Sequence, residues 1–149
     1  MQYTEGRIGR VFQLRIDHGE DLLESLEKFV RDKGIHCGFA HFIGALEGGR
    51  IVTGPKELVL PPDPSFEIYH DGREVFGYAS ITPGLKGAHL HYHASIGKNR
   101  EGMTGCLRER ATVYIMVEVM IMEILGSTVS RKKDPVTGMD LPFFGNHVK

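Results

Sequence analysis

The stretch "RATVYIMVEVMIMEIL", residues 110–125, constrains the fold more than any other part of the chain. Val113, Ile115, Val117, Val119 and Ile121 alternate with Tyr114, Met116, Met120 and Met122, so a strand here has two apolar faces. The β-branched row fits a packed core. The methionine row, interrupted by Glu118, needs cover of its own, because the sheet of a lone small domain usually leaves one face to water. A stripe of this size counts as an apolar patch, and methionine is enriched at protein interfaces. The competing account buries both faces within one chain, and a single helix is little to do that with. The expectation is therefore an oligomer, with Glu118 making a polar contact at a subunit interface. The segment is too short to span a bilayer as a helix, and it carries Glu118 and Glu123.

The rest of the chain supplies that one helix and more strands. "GRIGRVFQLRI" reads as a first strand, with Ile8, Phe12, Leu14 and Ile16 apolar. In "DHGEDLLESLEKFVRDKGI", Leu22, Leu23, Leu26, Phe29 and Val30 form one helical stripe. Glu20, Asp21 and Glu24 load the start of this helix, and Gly34 provides its C-terminal cap. "HCGFAHFIGAL" and "GRIVTG" read as two short strands, and the prolines of "ELVLPPDPSF" as a loop or an edge. "SFEIYHDGREVFGYASI" predicts a hairpin about Asp71-Gly72. "GAHLHYHASIG" is a further strand, followed by the turn "KNREGMTG". At 149 residues, 1–149 is one domain, of the α+β class with a mostly antiparallel, barrel-like sheet and one main helix.

Charge and cysteine usage exclude several functions. The formal net charge is -1, which gives no global field for nucleic acid or anionic lipid. The one basic run, Arg131-Lys132-Lys133, reads as a solvated loop. The start, "MQYTEGRIGRVFQL", lacks the pattern of a signal peptide. Two cysteines, Cys37 and Cys106, with no CxxC argue against a disulfide framework and for a reducing, cytoplasmic location.

The candidate site is "AHLHYHAS", residues 88–95. On a strand His89, His91, His93 and Ser95 share one face, while Ala88, Leu90, Tyr92 and Ala94 face the core. Such a histidine row is either a polar solvent face or a metal site. Neighbours at i and i+2 stand about 6.5–7 Å apart and can lean onto one ion, whereas His89 and His93 are about twice as far apart. One adjacent pair plus a third ligand is therefore wanted. Cys106 is the candidate, since the intervening turn lets the chain double back. Two histidines and a cysteine with an open position form a recognised catalytic zinc set.

The remaining polar residues read more blandly. His36 and His41 flank Cys37 and read as satisfied or interfacial. His18 and His70 read as exposed, and His147 lies in the tail. For an enzyme, Glu109 and Glu118 are the acid–base candidates, and Arg108 or Arg110 could hold an anionic substrate.

These segments in this order resemble the PPC family (plants and prokaryotes conserved domain, also called DUF296). "GRIGRVFQLRIDHGEDLLESLEKFVRDKGI" resembles its first strand and helix, "FIGALEGGRI" its Gly-Ala-Leu segment, "HYHASIG" its His-x-His strand and "DPVTGMDL" its C-terminal end. "MTGCL" stands where the family usually has Gly-Gly-His-Leu. The resemblance implies a β-rich α+β fold shared with acetolactate decarboxylase, and a homotrimer. It also implies a metal held by His91, His93 and the residue at Cys106, where cysteine replaces histidine. Thiolate suits zinc. His89 is an addition, a supporting or alternative ligand. The reading is a metal-binding, zinc-type homotrimer of unassigned activity, with room for a small-molecule ligand at the metal. Two alternatives stand beside it: a metal-dependent lyase or hydrolase, and a DNA-associated regulator by family association. No AT-hook sequence accompanies the domain here, so DNA binding is expected to be weak.

Overall fold

A computed structural model of the chain describes residues 1–85 and 87–147, the last two by backbone alone. In chain order its elements are β1 (Gln2–Tyr3), β2 (Arg7–Asp17), α1 (Leu22–Asp32), β3 (Gly38–Pro55), β4 (Pro64–Tyr69), β5 (Arg73–Gly84), β6 (Gly87–Lys98), β7 (Glu101–Leu125), β8 (Ser130–Lys133), β9 (Asp140–Phe143) and β10 (Asn146–His147). All strand pairings are antiparallel.

Strand β7 organises the molecule. Its 25 residues pair with β2, β3 and β6, and β3, β5, β6 and β7 close on one another as a ring. The ring is uneven: β2 extends it beside the C-terminal half of β7, and β4 beside the C-terminal half of β3. Small sheets β8–β9 and β1–β10 flank it. The inward row of β7 is the expected one, with Val113, Val117, Val119 and Ile121 buried against Phe42, Leu46, Ala79 and Ile81.

Helix α1 forms where the apolar stripe predicts it. Asp21 caps its first turn by accepting from Leu23 N and Glu24 N at 3.0 and 2.9 Å. Gly34 leaves the helix at φ +62°, a backbone that L side chains rarely adopt. The buried stripe of Leu22, Leu23, Leu26 and Val30 lies against β6 and β7, and the Tyr92 hydroxyl donates to the Leu23 carbonyl at 3.3 Å.

Three local expectations are corrected. Residues 38–55 form one strand, not two, because β7 runs along its whole length and the chain bends at irregularities in register instead of breaking. Asp71-Gly72 does not fold a hairpin. Strands β4 and β5 both pair with β3 along the same edge, β4 with residues 49–55 and β5 with 38–46. The turn is an offset between two collinear strands, and Gly72 supplies its φ of +65° while its N–H bonds the Glu47 carbonyl. Finally, Ile115 is not in the core. It occupies a bulge at φ +64°, where the register against β3 slips between Gly44 and Ala45, and is 65% exposed.

Outside the ring, the methionine row is exposed or half-buried, joined by Ile43, Phe76 and Tyr78 from β3 and β5. No helix among the described residues is long and apolar enough to cross a membrane.

Candidate metal centre

The hairpin β6–β7 turns tightly through Asn99 and Arg100, Asn99 taking φ +58°. From the pair Lys98–Glu101 the register runs back along β6 to His93, opposite Cys106. Cross-strand partners share a face, so the expected doubling back occurs. Ser95 and Thr104 occupy that face one step nearer the turn, their hydroxyls 2.9 Å apart.

Cys106 also pairs with Val52 of β3. It thus stands where β7 leaves β6 and joins β3, and the ring closes at this fork. Gly105 permits the closure: a Cβ there would lie 1.9 Å from the Val52 carbonyl oxygen. His91, one step past His93 in the direction away from the turn, faces the opening fork.

The structure brings together His91, His93 and Cys106. One ring nitrogen from each histidine and the Cys106 sulfur all lie within 4.8 Å of one another. The imidazole rings meet edge to face, with centroids 4.9 Å apart. His93 is exposed, His91 half-buried and Cys106 buried. His89 is outside this group, further along β6 beside a neighbouring hollow lined also by Arg31, His36 and Tyr92.

The surroundings keep the His91 ring free of a proton and so available as a ligand. Burial first, then the neighbouring His93 and the charges of Arg108 and Arg131, push the His91 imidazolium down to about 4, so its ring is a neutral donor at pH 7. Burial raises the Cys106 thiol, partly opposed by the charge of the Arg108 guanidinium. Two imidazoles and a thiol that can ionise are a donor set for zinc and similar ions.

The three side chains form one wall of a cavity of about 1180 Å³. Val52 and Phe66 of β3 and β4 line the floor, Pro61, Pro62 and Pro64 one rim, and Thr137, Gly138 and Met139 the other. Asp134 braces that second rim by accepting from Val136 N, Thr137 N and the Thr137 hydroxyl. Sequence reading misses these rims because they reach the site only through the fold. The proline cluster is the one signal that could have drawn attention.

Of the other candidates, Arg108 and Glu109 line this cavity and the rest are dispersed. Glu109 sits in a second β7 bulge at φ +67° and accepts from Arg50 at 2.6 Å. Arg110 donates to Thr112 at 3.0 Å. Glu118 is exposed beside Met116 and Met120 on the outer face of the ring, in a hollow remote from the histidine pair in register. His18, His36, His41 and His70 are exposed, and the side chain of His147 lies outside the described residues.

A single helix on an uneven antiparallel ring, with a His-x-His strand paired to a cysteine at the point of closure, defines a β-rich α+β protein with a potential metal-holding fork. The chain belongs to the Plants and Prokaryotes Conserved (PCC) domain family, whose model matches residues 3–125. This is the PPC family of the sequence resemblance. Its fold is similar to that of a metal-containing protein from Archaeoglobus fulgidus, with 27% identity, a TM-score of 0.84, and coverage of 95% of this chain and 98% of that one. A PPC protein from Pyrococcus horikoshii is also similar, with 21% identity, a TM-score of 0.80, and coverage of 100% and 99%. Among curated proteins the chain is 28% identical over 133 residues to a bifunctional GlmU protein of Synechococcus sp. (strain JA-3-3Ab). That match takes in 87% of this chain but spans only 20% of the length of the relative.

Proposed function

We propose that this protein is a zinc-binding homotrimer that handles a small molecule at the metal, with His91, His93 and Cys106 as ligands. The observation that carries the reading is the convergence of those three donor atoms within 4.8 Å across the β6–β7 pair. Three protein donors leave tetrahedral zinc a position for water or a ligand, and the adjoining cavity gives that ligand room. The metal content of the Archaeoglobus relative supports the reading. When bound, the ion would polarise a carbonyl or activate water, which is the chemistry of a metal-dependent lyase or hydrolase. His89 stands outside the ligand set, one step further along the same strand.

The outer face of the ring supports an oligomer, and the family resemblance makes it a trimer. Ile43 is 50% exposed, Phe76 64%, Tyr78 41% and Met120 39%, and a second copy covers such a face at the least cost in specificity. Light scattering checks it, with a mass near three times the 16.6 kDa chain expected. Lys introduced at Met120 should dissociate the assembly, and a monodisperse wild-type monomer would remove it.

The DNA-associated alternative finds little footing in the basic run. Arg131 donates to Thr82 and to the Asp140 carbonyl, and the Lys132 ammonium lies 3.6 Å over the Phe143 ring. Both are occupied in packing the β8–β9 sheet. Elemental analysis of the purified chain tests the main reading. About one zinc per chain is expected, and a metal-free protein that takes up none on incubation overturns it.

A further inference from the structure

Resting on the metal reading above, we propose that the cavity takes a small carboxylate, received by Arg108 while a second oxygen of the same molecule reaches the ion. The sequence alone leaves Arg108 and Arg110 equivalent. The bulge at Glu109 separates them: the register against β3 jumps from Arg50–Arg108 to Gly49–Ala111, so two residues of β7 loop out between ladder pairs. Arg110 is thereby turned to Thr112 and to a hollow lined by Glu20, Asp21, Glu24 and Glu27, where an anion is repelled. Arg108 lines the cavity of His91, His93 and Cys106.

The charge balance of this cavity is incomplete without an anion. Glu109 is its one lining carboxylate among the described residues, and Arg50 already holds it at 2.6 Å. Arg108 forms no ion pair among the described residues. A divalent ion on two neutral imidazoles and one thiolate leaves a further positive charge beside it. The planar guanidinium offers a fork of donors that matches a carboxylate, and Val52, Phe66 and Met139 give the cavity apolar walls for the carbon chain. Because Arg108 lines the same cavity as the three donors, a short acid with an oxygen on the adjacent carbon is the class of ligand proposed to join the guanidinium to the open position.

The test uses the full chain loaded with cobalt(II), whose visible bands report the ligand set, titrated with lactate and with its neutral isostere lactamide. Lactate should shift the bands saturably and lactamide should bind roughly tenfold or more weakly, the range of one charge-assisted contact. Arg108→Gln should keep the cobalt bands and weaken lactate by the same factor, while Arg110→Gln should match wild type. Equal binding of lactate and lactamide, or unchanged lactate binding by Arg108→Gln, overturns the proposal and leaves the metal reading standing. Absence of cobalt bands in the wild type overturns both.

Discussion

The ladder between β3 and β7 has a titratable group at each end, and the two are treated oppositely. At one end Glu123, paired in register with Gly38, is 6% exposed and fully partnered. Arg10 grips its carboxylate at 2.6 and 2.8 Å, and the Arg10 backbone N–H adds a third bond at 3.2 Å. At the other end Cys106 is buried and His91 half-buried, and neither histidine of the pair makes a side-chain hydrogen bond among the described residues. A buried polar group with all its partners is cement. Donors without such bonds are left to water or to a ligand, which marks the Cys106 end as the place where a ligand is expected.

The sharpest way to break this comparison is to remove one group from each end. His91→Ala or Cys106→Ala should lower bound zinc from about one per chain to about a tenth or less, because the two remaining donors hold zinc poorly. Arg10→Ala should leave zinc content intact and lower the melting temperature, since it strands the Glu123 carboxylate without its partner. Elemental analysis and thermal denaturation of the same samples separate the two. Zinc loss in Arg10→Ala, or none in Cys106→Ala, would merge the ends.

Gly105→Ala should damage both stability and site. Its Cβ would meet backbone, not a movable side chain, at 1.9 Å, so β3 and β7 must part where the ring closes. A loss of about 3 kcal/mol in urea denaturation is expected, together with weaker zinc retention.

Acid should address the ends in different windows. The Arg10 hydrogen bonds hold the Glu123 carboxyl down to about 2, a folded value below the unfolded one. Its stabilisation is present above the ordinary value of 4.5 and is lost as pH falls from there towards 2. His91, lowered by burial from 6.5 to about 4, behaves in the same sense higher up: the metal-free protein loses stability as pH falls from 6.5 towards 4. In denaturation of the metal-free chain across pH, Arg10→Ala should flatten the lower window alone and His91→Ala the upper alone.

The smallest effect is a proton count. Burial keeps the Cys106 thiol protonated in the metal-free protein while His91 is already neutral, so zinc uptake at pH 7 should release about one proton. Calorimetry in buffers of different ionisation enthalpy measures it, and Cys106→Ala should abolish it.

Helix α1, the inward row of β7 and the His-x-His pair with its cysteine are legible in the sequence because each depends on local periodicity or on a single short turn. Irregularity is what escapes. Ile115 stands in a run of β-branched residues, and nothing in its neighbours signals a positive φ. The offset at Asp71-Gly72 has the chemistry of a hairpin turn; only the length of β3, set by β7 some forty residues later, makes the two flanking strands collinear. The cavity rims are invisible for the same reason: residues 61–64 and 137–139 meet His91 through no local pattern.

The breadth of β7's pairing also governs when the chain can fold during synthesis. In the main sheet β2 is hydrogen-bonded to β7 alone, and the ring of β3, β5 and β6 stays open until β7 joins its two ends. A nascent chain that has emerged as far as residue 100 therefore carries a helix without the β7 surface it packs against, and strand edges with nothing to pair. Such edges invite aggregation. The domain commits late and nearly all at once, when the last 25-residue strand of the ring clears the ribosome.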